Sequence, residues 1–484
     1  MTRRLAILYF MFVALFPLTA RSTRAQAPPS GAAVATAPGA GLPQNSFSGS
    51  VPAKLEPGVL QLSLKDALAR GLKQNLGLLL SSEDVRTARG GRWQMLSSLL
   101  PNLTTSSYVN GSQVDLAEFG FSFKLPPSAG FTIPSVVGPF GYFDSRAYLT
   151  QSILDWKAIN NLHAASENLK SSQATYKDAR DLVILSVGYT YLQTIADEAR
   201  VETVDAQVNT AQTLYDQASD QVKAGTSPGI DGLRAQVELK TRQQQLIQAK
   251  NDFAIEKLTL GRVIGLAPGQ QFEIADKSPY EPFAGMTVQD ALRRAYASRS
   301  DFQAALADVR SAEYSRKAAA AGYLPSFSVS ADYGVAGTIP SVATHGVFDA
   351  RGTLTVPIFQ GGRVHGDILE ADARLEQGRQ RLENLRAQVD ADVRTALLNV
   401  ESGEEQVAVA QSNIDLAEQT LVQARDRFRA GVTDTVEVVQ AQEAVASAHE
   451  NYISSLYQDN YAKISLARAL GLAEEGVKEY FKGN

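Results

Sequence analysis

Catalysis needs reactive groups within reach of one another, and few stretches of this 484-residue chain offer them. Gly225-Thr226-Ser227-Pro228-Gly229 fits the pattern G-x-S-x-G, in which a nucleophilic serine needs a strand-to-helix elbow. Helical patterns flank the match on both sides, so Ser227 is read as a turn residue. Glu404-Glu405 and Glu474-Glu475 are neighbouring carboxylates that point apart on a helix, as solvated faces do. There is no cysteine, which excludes a thiol nucleophile, a zinc ribbon, a disulfide framework and an acylated lipoprotein terminus. His163, His345, His365 and His449 are too few and too scattered for most histidine metal sites, and neither a P-loop nor an H-E-x-x-H motif occurs. The expectation is therefore no enzyme, no cofactor and no metal site. Lys plus Arg total 46 against 51 Asp plus Glu, a formal charge of −5, which leaves no electrostatic footprint for nucleic acid.

If side chains do not react, the elements that hold them become the subject. With 44% hydrophobic and 20% charged residues, the chain is neither disordered nor a bundle of apolar membrane helices. At the N-terminus, Arg3 and Arg4 precede an apolar run from Leu5 to Leu18, and Ala25-Gln26-Ala27 follows. This reads as a secretory signal peptide over residues 1–27. Residues 28–58, rich in Ala, Pro, Gly and Ser, read as a flexible lead.

The remainder is a duplication. A shift of 224 residues aligns Asp66-Ala67-Leu68 with Asp290-Ala291-Leu292, Asp84-Val85-Arg86 with Asp308-Val309-Arg310, and Leu100-Pro101 with Leu324-Pro325. The shift then becomes 205, pairing Phe143-Asp144 with Phe348-Asp349. Later it is 206, pairing Ala224-Gly225 with Ala430-Gly431 and Gly265-Leu266 with Gly471-Leu472. The expected division is a first repeat over 59–268, a linker over 269–284, a second repeat over 285–472 and a tail over 473–484. The fall in shift puts about 19 extra residues of the first copy within Phe119 to Pro139, as a surface loop would be.

Each repeat reads as one helix, two strands and two long helices. From Ser326 to Val335 apolar and polar residues alternate, as they do from Phe348 to Val356 and around Asp144, Arg146, Tyr148 and Thr150. A hairpin on a soluble core is the plain alternative for any one of these strands. No proline interrupts Lys157 to Lys223, which predicts a helix ~100 Å long at 1.5 Å per residue. In the second copy Val393, Val400, Val407, Ile414, Leu421 and Phe428 recur every seven residues. Val389, Ala396, Gly403, Ala410, Ala417 and Ala424 form a companion seam, and large residues facing small ones permit close helix approach. A secreted chain without a membrane helix but with four alternating strands suggests a barrel pooled from several copies, because four strands cannot close one alone.

The duplicated Asp-Ala-Leu opening helix, the Leu-Pro turn and the run Val356-Pro357-Ile358-Phe359-Gln360-Gly361-Gly362-Arg363 together resemble TolC-like outer membrane factors. So does the Ala430-Gly431 turn followed by Glu437-Val438-Val439-Gln440-Ala441, and the likeness covers residues 60–472. The resemblance implies a mainly α protein with a small β portion, its duplicated hairpins forming a trimeric α-barrel. Four strands per chain would join a 12-stranded outer-membrane β-barrel. It also implies a homotrimeric exit duct for small-molecule efflux in a tripartite pump, or for type I protein secretion. Its partners would be a periplasmic adaptor (membrane fusion) protein, an inner-membrane RND, ABC or MFS transporter, and outer-membrane lipid. A soluble periplasmic coiled-coil adaptor or scaffold is the alternative.

Carried onto this chain, the resemblance makes Gly225 and Gly431 the periplasmic tip turns and puts Asp231 and Glu437 at a gate. Gln440 stands where the family often has an acid, and Thr433 where a basic residue can lock a closed tip. Asp231 and Glu437 are alternatively solvated residues favoured by a helix dipole. The junction between barrel and tunnel falls at Trp156, Pro357, Gly361 and Gly362, where the glycines permit a tight turn. Trp156 is either an interfacial anchor or a packed junction residue. Phe119, Phe121, Phe131, Phe140, Tyr142 and Phe143 are either an outer rim or a small loop core.

Overall fold

The first copy begins with a short strand, β1 (Leu60–Leu62), then helices α1 (Leu64–Gln74) and α2 (Leu76–Ser97) and strands β2 (Asn102–Asp115) and β3 (Val136–Leu154). The long helices α3 (Trp156–Lys223) and α4 (Gly229–Val263) complete it. The second copy follows as β4 (Phe272–Ile274), α5 (Val288–Ser298), α6 (Ser300–Ala320), β5 (Ser326–Ile339), β6 (Thr344–Thr355), α7 (Arg363–Arg429) and α8 (Thr435–Ala469). This computed structural model describes residues 47, 49–120, 134–276, 280, 282–339, 344–474 and 476. The signal peptide, most of the lead, Phe121 and Phe131 lie outside the described residues.

The same local chemistry starts both copies. The Ser63 hydroxyl caps α1, accepting from the Asp66 backbone N–H at 3.2 Å and donating to its carboxylate at 2.6 Å. Thr287 repeats this on α5 with Asp290, at 3.2 and 2.8 Å. The single opening helix expected from the sequence is in fact two helices in each copy. Asn75 (ψ 127°) and Arg299 (ψ 120°) leave the helical region between them. Their side chains supply the reason: buried Asn75 donates to the Phe47 carbonyl at 2.6 Å, and Arg299 reaches Asp301 at 2.6 Å and Asp392 at 2.9 Å. The sequence reading also missed β1 and β4, which pair in parallel as two three-residue strands too short to show a period. The last residues of the segment read as a flexible lead run along this body. The Val51 N–H donates to Gln74 O and the Ala53 N–H to Gly265 O, each at 2.8 Å.

The four long strands form one antiparallel sheet in the order β2-β3-β5-β6. Register sets its two faces: Asp144 opposes Tyr108, Arg146 opposes Gly334, and Tyr148 opposes Asp332. Arg146 ties neighbouring strands on the polar face, 2.8 Å from Asp144 and 3.1 Å from Asp332. The other face leaves Leu103, Val109, Tyr333, Phe348 and Leu354 exposed. An apolar sheet face of this extent is suited to lipid, with the polar face turned to water.

Two antiparallel hairpins, α3 with α4 and α7 with α8, make up most of the rest. The expected heptad seam is the one buried: Val393, Val400, Val407, Ile414, Leu421 and Phe428 are all covered. At Gly403 an added Cβ would lie 3.1 Å from the Asp459 Cα, so the missing side chain lets α8 approach α7. There Asp459 forms a buried pair with Lys463 at 2.8 Å.

Burial also shifts acids in this helical body. It pushes the Glu256 carboxyl up to about 7, with Asp197 adding repulsion. An acid raised in the folded state binds its proton more tightly there than when unfolded, so stability falls as pH rises from the usual 4.5 through about 7. Glu256→Gln should therefore raise the thermal midpoint of the detergent-solubilised protein at pH 8 and leave it nearly unchanged at pH 5. Equal effects at both pH values would show that Glu256 does not titrate in this window.

Candidate channel gate at the hairpin tips

Both hairpins reverse by the same backbone device. After α3, the Thr226 N–H donates to Gln221 O at 2.9 Å and the Gly225 N–H to Val222 O at 3.1 Å, with Gly225 at φ 73°. After α7, the Val432 N–H reaches Arg427 O and the Gly431 N–H reaches Phe428 O, both at 3.0 Å, with Gly431 at φ 69°. This left-handed closure pairs carbonyls that a helix end would otherwise leave open, and glycine adopts it without steric cost.

The acids sit one turn further on. Asp231 is 4% exposed and accepts a hydrogen bond from the Ser227 hydroxyl at 2.7 Å, with Arg234 at 3.5 Å. Ser227, whose motif suggested a nucleophile, serves here to hold a carboxylate. In the second copy Thr433 donates to Glu437, and the Arg427 guanidinium of α7 lies 3.3 Å from the same carboxylate. Ser227 and Thr433 are 206 apart, as are Asp231 and Glu437, and Arg234 and Gln440. The hydroxyl-to-carboxylate contact is thus duplicated, whereas the cation is not: it comes from α4 in the first copy and from α7 in the second.

That difference sets the electrostatics of the tip. Asp231 is enclosed and matched, so its charge is largely spent within the hairpin. The Glu437 side chain is 39% exposed, and Gln440 beside it is exposed and uncharged. Of the four residues read as gate candidates, the structure joins Thr433 to Glu437, and Asp231 belongs to the other tip. Arg427 was missed because its role depends on α7 passing α8, which no spacing in the sequence states. Behind the tips Leu214, Ala218 and Ala235 pack against Leu421, Phe428 and Val438, so the two hairpins share an apolar core.

At the opposite ends of the long helices lie the residues expected at a junction. Gly361 (φ 59°) and Gly362 (φ 82°) are consecutive left-handed residues that turn the chain into α7 after Pro357. The first copy manages without glycine: the Asp155 carboxylate caps α3 by accepting from the Ala158 N–H at 2.9 Å, and Trp156 is 44% exposed. Beside the second junction Ile358 and Phe359 are 96% and 87% exposed. Phe119 is also exposed, while Phe140, Tyr142 and Phe143 are half-buried.

The family model described as Outer membrane efflux protein matches residues 82–266 and 291–472, one segment in each repeat. The chain belongs to the outer membrane efflux protein family. It is 21% identical over 331 residues to the pyoverdine export outer membrane protein OpmQ of Pseudomonas putida, covering 68% of this chain and 70% of that protein. It is 23% identical over 322 residues to the cation efflux system protein CusC of Escherichia coli, covering 64% and 69%. Among solved structures, the outer membrane protein VceC of Vibrio cholerae superposes with a TM-score of 0.71 at 18% identity, over 84% of this chain and 96% of that one. This efflux family member thus has the fold of an outer-membrane channel with a helical periplasmic tunnel, and its family is one of transport proteins. The soluble adaptor or scaffold reading gives way to that of an outer-membrane channel.

Gly431→Ala should strain the left-handed turn by ~1 kcal/mol. Limited trypsin digestion should then cut faster at Arg427 and Arg429 while the rest of the chain resists. An unchanged cleavage rate would mean that the turn does not depend on glycine.

Proposed function

We propose that three copies of this chain assemble into a gated duct through the outer membrane, taking over cargo from an energised inner-membrane transporter through a periplasmic adaptor. The observation that carries this reading is the four-stranded sheet. Its outer strands, β2 and β6, each have one edge without a strand partner among the described residues, and its apolar face is bare. In lipid such edges have no water to bind, so the sheet must close, and three copies supply twelve strands. Apolar residues left open on the helices, among them Val237, Ile247 and Leu258 on α4 and Leu398, Val409 and Leu416 on α7, suit contact with neighbouring copies in the tunnel wall.

In this duct the hairpin tips form the constriction, and Glu437 is the acid that faces it. Three such carboxylates in a narrow lumen raise the local cation concentration and oppose anions. Thr433 and Arg427 orient Glu437 and damp its charge, while Asp231 contributes less because its own hairpin encloses it. Efflux of small molecules is the favoured task, since OpmQ and CusC are named for pyoverdine export and cation efflux. The junction at Trp156, Pro357, Gly361 and Gly362 turns the chain between barrel and tunnel.

Planar-bilayer recording of the detergent-purified protein tests this. The wild type should give small, cation-preferring conductances at a mass of three chains. Glu437→Ala should lower the cation-to-anion permeability ratio by roughly twofold or more, and Asp231→Asn should change it less. A non-conducting, detergent-independent species would overturn the duct, and unchanged selectivity in Glu437→Ala would remove the charged ring.

A further inference from the structure

Roughly 20 Å from the tips, counted at 1.5 Å per residue along the helices, the hairpins part around a cavity of about 530 Å³. All four long helices line it: Thr203, Ala206 and Thr210 from α3, Glu238 and Arg242 from α4. From α7 come Glu418, Leu421, Val422 and Arg425, and from α8 Gln442, Val445 and His449. Several of its polar groups already have partners. Glu238 is paired with Arg242 at 2.7 Å, and Glu418 lies 3.3 Å from His449.

Two lining groups are not satisfied by protein. Arg425 has no acid partner among the described residues. It is half-buried, and burial together with repulsion from Arg429 holds its pKa below the ordinary value. Gln442 is 6% exposed, and neither its amide nitrogen nor its amide oxygen has a hydrogen-bond partner in the protein. A buried amide without partners is unfavourable unless something else completes it, and a half-buried guanidinium without a counter-ion is open to an anion. Leu421, Val422, Val445 and Ala206 give the wall an apolar portion beside Thr203, Gln207 and Thr210.

We propose that this cavity binds a small carboxylate carrying a short apolar body. The carboxylate sits on the planar donor fork of Arg425, the apolar body lies on Leu421, Val422 and Val445, and the Gln442 amide, whose polar atoms are covered in this structure, turns in to supply a further donor. Glu202, an exposed acid at the same cavity, disfavours dianions and so favours a single carboxylate over phosphate. Because the lining comes from both hairpins, the occupant bridges them. Where opening of the tip separates the hairpins, which rests on the duct reading, a bound carboxylate keeps the gate shut.

Titration of the full-length, detergent-solubilised protein with 4-fluorobenzoate, followed by ¹⁹F NMR against a protein-free micelle blank, measures the binding directly. Saturation should occur with a Kd in the range of ~0.1–5 mM. Arg425→Gln should weaken it at least ~5-fold and Gln442→Leu more modestly, both with unchanged oligomer mass and circular dichroism. Benzylamine, of the same shape with the opposite charge, should not saturate. Linear uptake equal to the micelle blank, equal affinity in Arg425→Gln, or equal saturation by the amine would each overturn the site. Bilayer recording then separates site from consequence: benzoate should lower open probability in the wild type and not in Arg425→Gln. Binding without that change would overturn the hairpin bridge while leaving the carboxylate site and the duct reading intact.

Discussion

A sheet in lipid must satisfy its own backbone, and much of this molecule follows from that constraint. The strands of β2-β3-β5-β6 are paired internally, but β2 and β6 present outer edges that one chain does not close. Twist and register place exposed Leu103, Tyr333 and Phe348 on one face and the Asp144, Arg146 and Asp332 cluster on the other. The cluster is a cross-strand brace: Arg146 joins β3 to β5 and covers Asp144, so two neighbouring strands are held together by charge as well as by backbone bonds. Gly361 and Gly362 before α7 and the Asp155 cap of α3 are two local ways of turning a strand into a long helix.

The helices obey a second rule, close packing by pairing large seams with small ones. Val393, Val400 and Val407 are buried where Ala396, Gly403 and Ala410 leave room. The close approach at Gly403 coincides with the buried Asp459–Lys463 pair, a charged element in the seam. Uncompensated charge there would be costly; both partners lie on α8, and Lys463 also comes within 3.8 Å of Glu404 on α7. Towards the tips the apolar seam passes from one hairpin to the other where Leu214, Ala218 and Ala235 meet Phe428 and Val438. That shared core holds the two hairpins together near their tips.

Duplication gives the tips a common plan and divergence gives them different charges. Ser227 and Thr433 perform one task in two copies, yet Asp231 is enclosed and Glu437 open. The asymmetry comes from one exchange: the first copy has Arg234 on the same helix as its acid, while the second has uncharged Gln440 at that position and draws Arg427 from the facing helix. A cation on the same helix is always near its acid, whereas one on a neighbouring helix depends on how the hairpin is wound.

By itself the sequence determined the duplication, the four strands and the faces of three of them, the long helices and their seams, and the glycines that end them. These are local or periodic properties, carried by a two-residue or seven-residue repeat and by the conformational freedom of glycine. Only the tertiary structure decided the breaks at Asn75 and Arg299, since both are caused by side chains that reach distant partners. It alone decided the β1-β4 pair, whose strands lie about two hundred residues apart, and the burial of Asp231 against the exposure of Glu437. Arg427 beside Glu437 and the unmatched Arg425 and Gln442 between the hairpins belong to the same class. Each depends on which helix face meets which, and contacts between chain segments distant in sequence leave no period to read.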